Sequence, residues 1–376
     1  MPAIALSKNI LGRDTAISKT ITALRWPLAA LVILDHYFRL QLIDGSLASS
    51  LNDSQTISTI EAFIISFLKN YPVPVFFFIS GYLLYLGDSP RANYVMKLKK
   101  LPRGILLPYI FWIVFALLES LISGLSQGES LKTALQIPDG GRYMPGIMKW
   151  LITSFVGLPW PANLPLWYVR DLALIILVSP VLHISLKFSK GWLVVLLGIL
   201  FVTSNSDNLG IRLSTGLFFF SAGYWLRYTG CDILRLSKSL FIPAITIYIA
   251  GASYYFLDYD ITVDNSTGMP WINCLMKNLA VISFLPIAFH LVSRAVASGW
   301  VKASPFLASA SFFIYVTHYP IKHTIIHLSE MLSGGGGTNG LLTLTLASVA
   351  TPLILTAIYF MLKKQFPTFM RIIDGR

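Results

Sequence analysis

Charge is what this sequence has least of. Charged residues make up 12% of its 376 positions and hydrophobic ones 55%, against about 25% charged in an average soluble domain. That balance excludes an ordinary water-soluble domain. Cysteine is nearly absent as well: Cys231 and Cys274 are the two present, which excludes a disulfide framework and a cysteine-built metal site. Acidic residues are scarce beside basic ones, 17 against 29. The resulting net charge of +12 raises nucleic acid as a partner, until the placement of the charges is considered. Missing too are a phosphate-binding glycine loop, a Gly-x-Ser-x-Gly elbow and a His-Glu-x-x-His helix. The chemistry must then draw on an activated donor or an ion gradient.

What is present is long apolar stretches. Hydropathy places ten spans near residues 20–41, 60–87, 104–124, 164–186, 191–206, 211–228, 239–257, 271–293, 305–328 and 341–362, each able to cross all or most of roughly 30 Å of hydrocarbon. The expected fold is all-α, a polytopic membrane helix bundle forming a single domain over 1–376. Tyr71, Pro72, Val73 and Pro74 interrupt the second span, where a helix should break or kink. Residues 145–159 are too short and polar to cross, and read as an interfacial or re-entrant helix. The first segment has the basic flank of a signal peptide (Lys8, Arg13, Lys19) and a small-residue site at Leu47, Ala48 and Ser49. Its apolar run is too long and carries Asp35, His36 and Arg39, so a retained first span is expected.

Basic residues gather in alternate loops. With the N-terminus inside, one side holds Lys8 to Lys19, Arg91 to Arg103, Lys187, Lys190, Arg227, Arg235, Lys238, Arg294, Lys302 and the C-terminal cations. The opposite loops are poor in Lys and Arg, and two of them are acidic. This is the positive-inside pattern, with both termini cytoplasmic. It accounts for the basic excess through membrane lipid and without nucleic acid.

Within the first span, Arg25 and His36 stand eleven residues apart. At 100° per residue that returns to within about 20° of the starting direction after a rise of roughly 16 Å. An arginine near one membrane face would then sit below a histidine near mid-membrane. Ionisable groups at such depth are functional candidates. A neutral imidazole at His36 can take a proton from a hydroxyl and return it; bonded to a backbone carbonyl, it would be structural. Asp35 points about 100° away from it and is not expected to pair with it.

Further polar clusters accompany this pair. Arg91, Lys97, Lys99, Lys100 and Arg103 crowd the entrance to the third span, where Lys100 and Arg103 can converge on phosphate. Ser80 and Gly81 lie inside a span, suited to close helix packing or to leaving room for a ligand chain. Trp167, Tyr168, Arg170 and Asp171 open the fourth span, either as interface belt and headgroup contacts or as contacts for a sugar. In the ninth, Tyr315 and His318 precede Pro320, with Lys322, His323 and His327 beyond. Lys322 amid these histidines argues against a metal, and none is expected.

These motifs together resemble the acyltransferase-3 family of integral membrane O-acyltransferases. The resemblance rests on Arg25 with His36, on the segment Phe76 to Gly81, and on Lys100 and Arg103 ahead of Pro108 and Tyr109. Leu166 to Tyr168, and Ser311, Tyr315, His318 and Pro320, complete it. It extends over nearly the whole chain in order. It implies transfer of an acyl group, most often acetyl from cytoplasmic acetyl-CoA, to a hydroxyl of a cell-surface glycan or lipid-linked sugar. By that analogy His36 is the essential histidine, and Arg25, Lys100 and Arg103 serve the acyl-CoA side. Ser80, Tyr315 and His318 are expected near the donor, and Trp167, Tyr168, Arg170 and Asp171 near the acceptor. Position 100 is lysine where many relatives carry arginine, which argues against a bidentate phosphate contact there. The fused esterase-like domain of some relatives is not expected, so direct acylation is. The resemblance further implies a multi-pass location in a bacterial cytoplasmic (inner) membrane. The residues alone leave a second reading open, a proton-coupled transporter or glycan exporter, since a broken span with buried His and Arg suits that too.

Overall fold

A computed structural model describes all of the chain except residues 1, 39–54, 69–70, 85–89, 139–145, 157–159, 204–212, 261–264, 267–269, 334–339 and 376. Its order is α1 (Pro2–Phe38), α2 (Gln55–Phe67), α3 (Pro72–Leu84), α4 (Pro90–Leu101), α5 (Leu107–Ser126), α6 (Leu131–Ala134) and α7 (Gly146–Leu151). There follow α8 (Trp167–Phe188), α9 (Trp192–Thr203), α10 (Leu213–Tyr228), α11 (Ile233–Asp258) and α12 (Pro270–Ala297). The remainder is α13 (Pro305–Thr317), α14 (Lys322–Ser333), α15 (Gly340–Gln365) and α16 (Pro367–Ile373). Apart from a two-residue ladder, Tyr259–Asp260 against Asn265–Ser266, the described fold is all-α.

Among the described residues, six helical runs are long and apolar enough to cross a membrane: Asp14–Phe38, Tyr94–Ser126, Leu164–Phe188, Ile233–Leu257, Trp271–Ala297 and Leu342–Gln365. The molecule is a polytopic membrane bundle. The other expected spans differ in instructive ways. The second divides into α2 and α3 at Pro72, whose ring cannot continue a helix begun upstream. The ninth divides into α13 and α14, with a turn over residues 318–321 ahead of and around Pro320. The fifth is the 12-residue α9 and the sixth the 16-residue α10.

Apolar residues face outward, as a lipid solvent requires. On α5 the exposed residues Ile110, Val114, Leu118 and Ile122 recur every fourth position and form one stripe. Tyr109, Trp112, Ile113 and Ala116 form the buried face behind it. Pro102 has no N–H to give the ladder, and residues Pro102–Leu106 relax into a π-helical turn closed by Leu107 N–H to Pro102 C=O.

The most buried of the six candidate spans is the first, with half its residues enclosed. α1 packs on α3, α12, α13 and α15. Its lower part (Ile17, Ile21, Leu24, Leu28) enters one apolar cluster with α3, α8, α10 and α12. Its upper part (Ala29, Val32, Ile33, Tyr37) enters a second with α5, α13 and α15. Polar pins fix its rotation: Arg227 Nη1 to Asp14 Oδ1 at 2.7 Å, Trp26 Nε1 to Thr356 Oγ1 at 2.9 Å, and Thr351 Oγ1 to Tyr37 Oη at 2.9 Å.

Between α3 and α10 the packing is backbone on backbone. A Cβ at Gly81 would fall on the Phe220 carbonyl oxygen, and one at Gly223 on the Phe78 carbonyl oxygen. Gly81 is therefore a packing residue. Since carbonyls cannot rotate aside, Gly81→Ala and Gly223→Ala should each cost about 1–3 kcal/mol or more. Thermal melting of the detergent-purified protein checks this; midpoints equal to wild type would show that the two helices are not in such contact.

Candidate functional site

The break in the ninth span builds the centre of the site. At His318 the helix ends, and the Ile314 carbonyl accepts both the His318 backbone N–H (3.2 Å) and the ring Nδ1 (3.1 Å). A carbonyl only accepts, so Nδ1 carries the proton and Nε2 of the neutral ring carries a lone pair. That Nε2 is buried with no hydrogen-bond partner among the described residues. Against this ring lies His36, with ring centroids 5.2 Å apart. Tyr319 meets His36 edge-on at 5.5 Å and places its face under the Lys322 ammonium, also at 5.5 Å. His36, His318 and Lys322 are all buried, the last two essentially completely.

A line of polar aromatics leads from the histidine pair. Tyr315 lies 6.2 Å from His318, and Tyr168 lies 6.0 Å from Tyr315. The Tyr315 hydroxyl donates to the Pro165 carbonyl at 2.6 Å. Tyr168 Oη is 3.3 Å from Ser80 Oγ, which itself donates to the Phe76 carbonyl at 2.8 Å. Ser80 thus joins this line, while neighbouring Gly81 serves packing. Tyr168 stands within electrostatic reach of Arg25. So does Lys97, which also feels Lys100. Arg25 acts electrostatically on both Tyr168 and Lys97.

Arg25 lies eleven residues into the described run Asp14–Phe38, and His36 two residues before its end. Lys100 lies in the last turn of α4 and Arg103 on the π-helical turn, both exposed; Lys97, about one turn before Lys100, feels Arg25 electrostatically.

Ahead of α8 the described chain forms a short helix in place of a long span. Residues 146–156 form α7 and a second π-helical turn, and Tyr109 donates to the Phe155 carbonyl at 2.9 Å. Ala162 N–H returns to the Ser154 carbonyl at 3.2 Å, closing a hairpin. Asn163, wholly buried, bolts the hairpin to the bundle by donating to the Val316 carbonyl at 2.8 Å. Arg170 and Asp171 belong to this structure. Arg170 Nε bonds Asp171 Oδ1 at 2.7 Å, Asp171 is fully enclosed, and Arg170 Nη1 approaches the Val156 carbonyl at 3.5 Å. They are inside the bundle and not among lipid headgroups. Trp167 packs on Phe77 at 6.2 Å.

Several features were not legible in advance. Tyr319 and Asn163 carry no local signal; each matters only through residues more than 150 positions away or across a helix break. The burial of Lys322 was equally hidden. Asp35 behaves as expected of a helix neighbour: its Oδ1 is buried, and no hydrogen bond to it exists among the described residues. Arg39 lies outside the described residues. Among the described residues, no three metal-ligating side chains converge.

Comparison with known proteins follows this geometry. An acyltransferase domain model matches residues 19–362, taking in both histidines, Arg25 and the basic helix. A succinoglycan biosynthesis protein of Rhizobium meliloti (strain 1021) is 29% identical over 262 residues, which cover 66% of this chain and 64% of that protein. The chain thus spans a little under two thirds of that relative's length. No solved structure matches. With a match across more than nine tenths of its length, this multi-pass membrane protein belongs to the acyltransferase-3 family.

Proposed function

We propose that the protein O-acylates a cell-surface polysaccharide or its lipid-linked precursor in a bacterial cytoplasmic membrane, taking the acyl group, acetyl in the simplest case, from acyl-CoA. The observation that carries this reading is the buried pair His36 and His318, with ring centroids 5.2 Å apart. The family supports acyl transfer, and the relative's role in succinoglycan biosynthesis supports a glycan as acceptor.

The steps follow from the groups present. The phosphates of coenzyme A engage Lys97, Lys100, Arg103 and Arg25, with the lysines acting as point charges and the arginines as forks. The thioester then lies along Ser80, Tyr168 and Tyr315, toward the histidines. Trp167 and the hairpin held by Arg170 and Asp171 border the acceptor side. A sugar hydroxyl attacks the thioester carbonyl while His36 takes its proton as general base. The C–S bond breaks as the ester C–O bond forms, and His36 returns the proton to the departing thiolate. His318, its Nδ1–H held by Ile314, keeps Nε2 as an acceptor beside His36 and orients the reacting hydroxyl. Burial strengthens each of these contacts by excluding water.

Replacing His36 by Ala should lower turnover roughly 10²–10⁴-fold, the usual worth of a general base, with insertion and melting temperature retained. His318→Ala should lower turnover by up to about 100-fold through lost positioning, leaving the KM for the donor in place. Acyl transfer to purified glycan, followed by mass spectrometry, reads both, and a fully active His36→Ala protein would rule out the mechanism. Lys97→Gln removes binding common to ground and transition states. It should raise the donor KM at constant kcat, and an unchanged KM would move the phosphates elsewhere.

A further inference from the structure

A second basic site lies on another face of α1. An open cavity of about 690 Å³ is bounded by α1, the start of α11 and the end of α12. Lys19, Arg235, Lys238 and Arg294 line it around the His290 ring, which stacks on Phe241 at 4.3 Å. Lys19 and Arg25 are six residues apart, so they point about 120° apart around the helix. The cavity is therefore not an extension of the site at His36 and Arg25.

Its charge is uncompensated. No Asp or Glu lines it, and among the described residues no carboxylate comes within 4.0 Å of Lys19, Arg235, Lys238 or Arg294. The acid closest in sequence, Asp232, is engaged elsewhere, accepting the Leu234 and Arg235 backbone N–H groups at 3.0 and 3.2 Å to cap α11. Lys238 and Arg294 come from different helices yet both act electrostatically on His290. Four permanent cations brought together from three helices repel one another unless an anion sits between them. The volume suits a compact ligand, and basic pockets between membrane helices hold phosphate head groups. Exposed apolar residues follow the lining cations and His290 along the same helices, Leu240 and Ile242 on α11 and Leu291 on α12.

We infer that this cavity binds a phosphate-ester anion, separate from the acyl-transfer site. Two sources share that chemistry: the head group of an anionic phospholipid, whose acyl chains would lie along α11 and α12, and a soluble phosphorylated nucleotide bound apart from the acyl donor.

The test is thermal melting of the full-length protein in neutral detergent with three probes: dioctanoyl phosphatidylglycerol, dioctanoyl phosphatidylcholine and adenosine 3′,5′-bisphosphate. One or both anionic probes should raise the midpoint by several degrees, and Lys238→Gln combined with Arg294→Gln should remove most of that shift. A phosphatidylglycerol response that those variants remove identifies a lipid site, and a bisphosphate response that they remove a nucleotide site. Lys100→Gln with Arg103→Gln should keep the phosphatidylglycerol shift, and any bisphosphate shift that this pair removes belongs to the acyl-donor site. Should the first pair melt too early to compare, Lys19→Gln alone should reduce the shift. No shift with either anion, an equal shift with phosphatidylcholine, or a shift untouched in the Lys238, Arg294 and Lys19 variants would overturn the inference. Acyl transfer is read on the glycan and stands or falls separately.

Discussion

Ionisable side chains inside a lipid-solvated bundle set the terms for the rest of this structure. Arg25, His36, Asp171, His318 and Lys322 all occupy membrane helices or their breaks, where each costs several kcal/mol unless partners replace water. The partners are specific: Ile314 for the His318 ring, Asp171 for Arg170, the Tyr319 face for Lys322. Meeting those needs requires α1 at the centre, a broken helix beside it and a hairpin dipping in from the side. Architecture and site are one arrangement seen at two scales.

The two breaks have complementary roles. Pro72 starts α3 afresh so that Phe76, Phe77 and Ser80 face Tyr168. Pro320 stops α13 early, which turns the His318 ring back onto Ile314 and frees Nε2 toward His36. Helix ends within a membrane are tolerated where protein covers them, and Asn163 supplies that cover by capping the Val316 carbonyl. A straight ninth helix would remove both the oriented ring and the socket for the hairpin.

Much of this was legible from residue order because its causes are local. Apolar length marks the long spans, proline marks the breaks, and a spacing of eleven puts Arg25 and His36 on one face. Contacts between distant segments were beyond reach. Gly223 against Phe78, Asn163 against Val316, and Tyr319 against His36 depend on how helices pack, and no periodicity encodes that.

The central claim is spatial: donor phosphates among the α4 cations, reacting acyl carbon at two imidazoles. A structure of the protein with a thioether analogue of acetyl-coenzyme A, which cannot release its acyl group, addresses it directly. The account requires the acyl end beside His36 and His318 and the phosphates against Lys97, Lys100 and Arg25. An analogue bound with its acyl end remote from both histidines would contradict it.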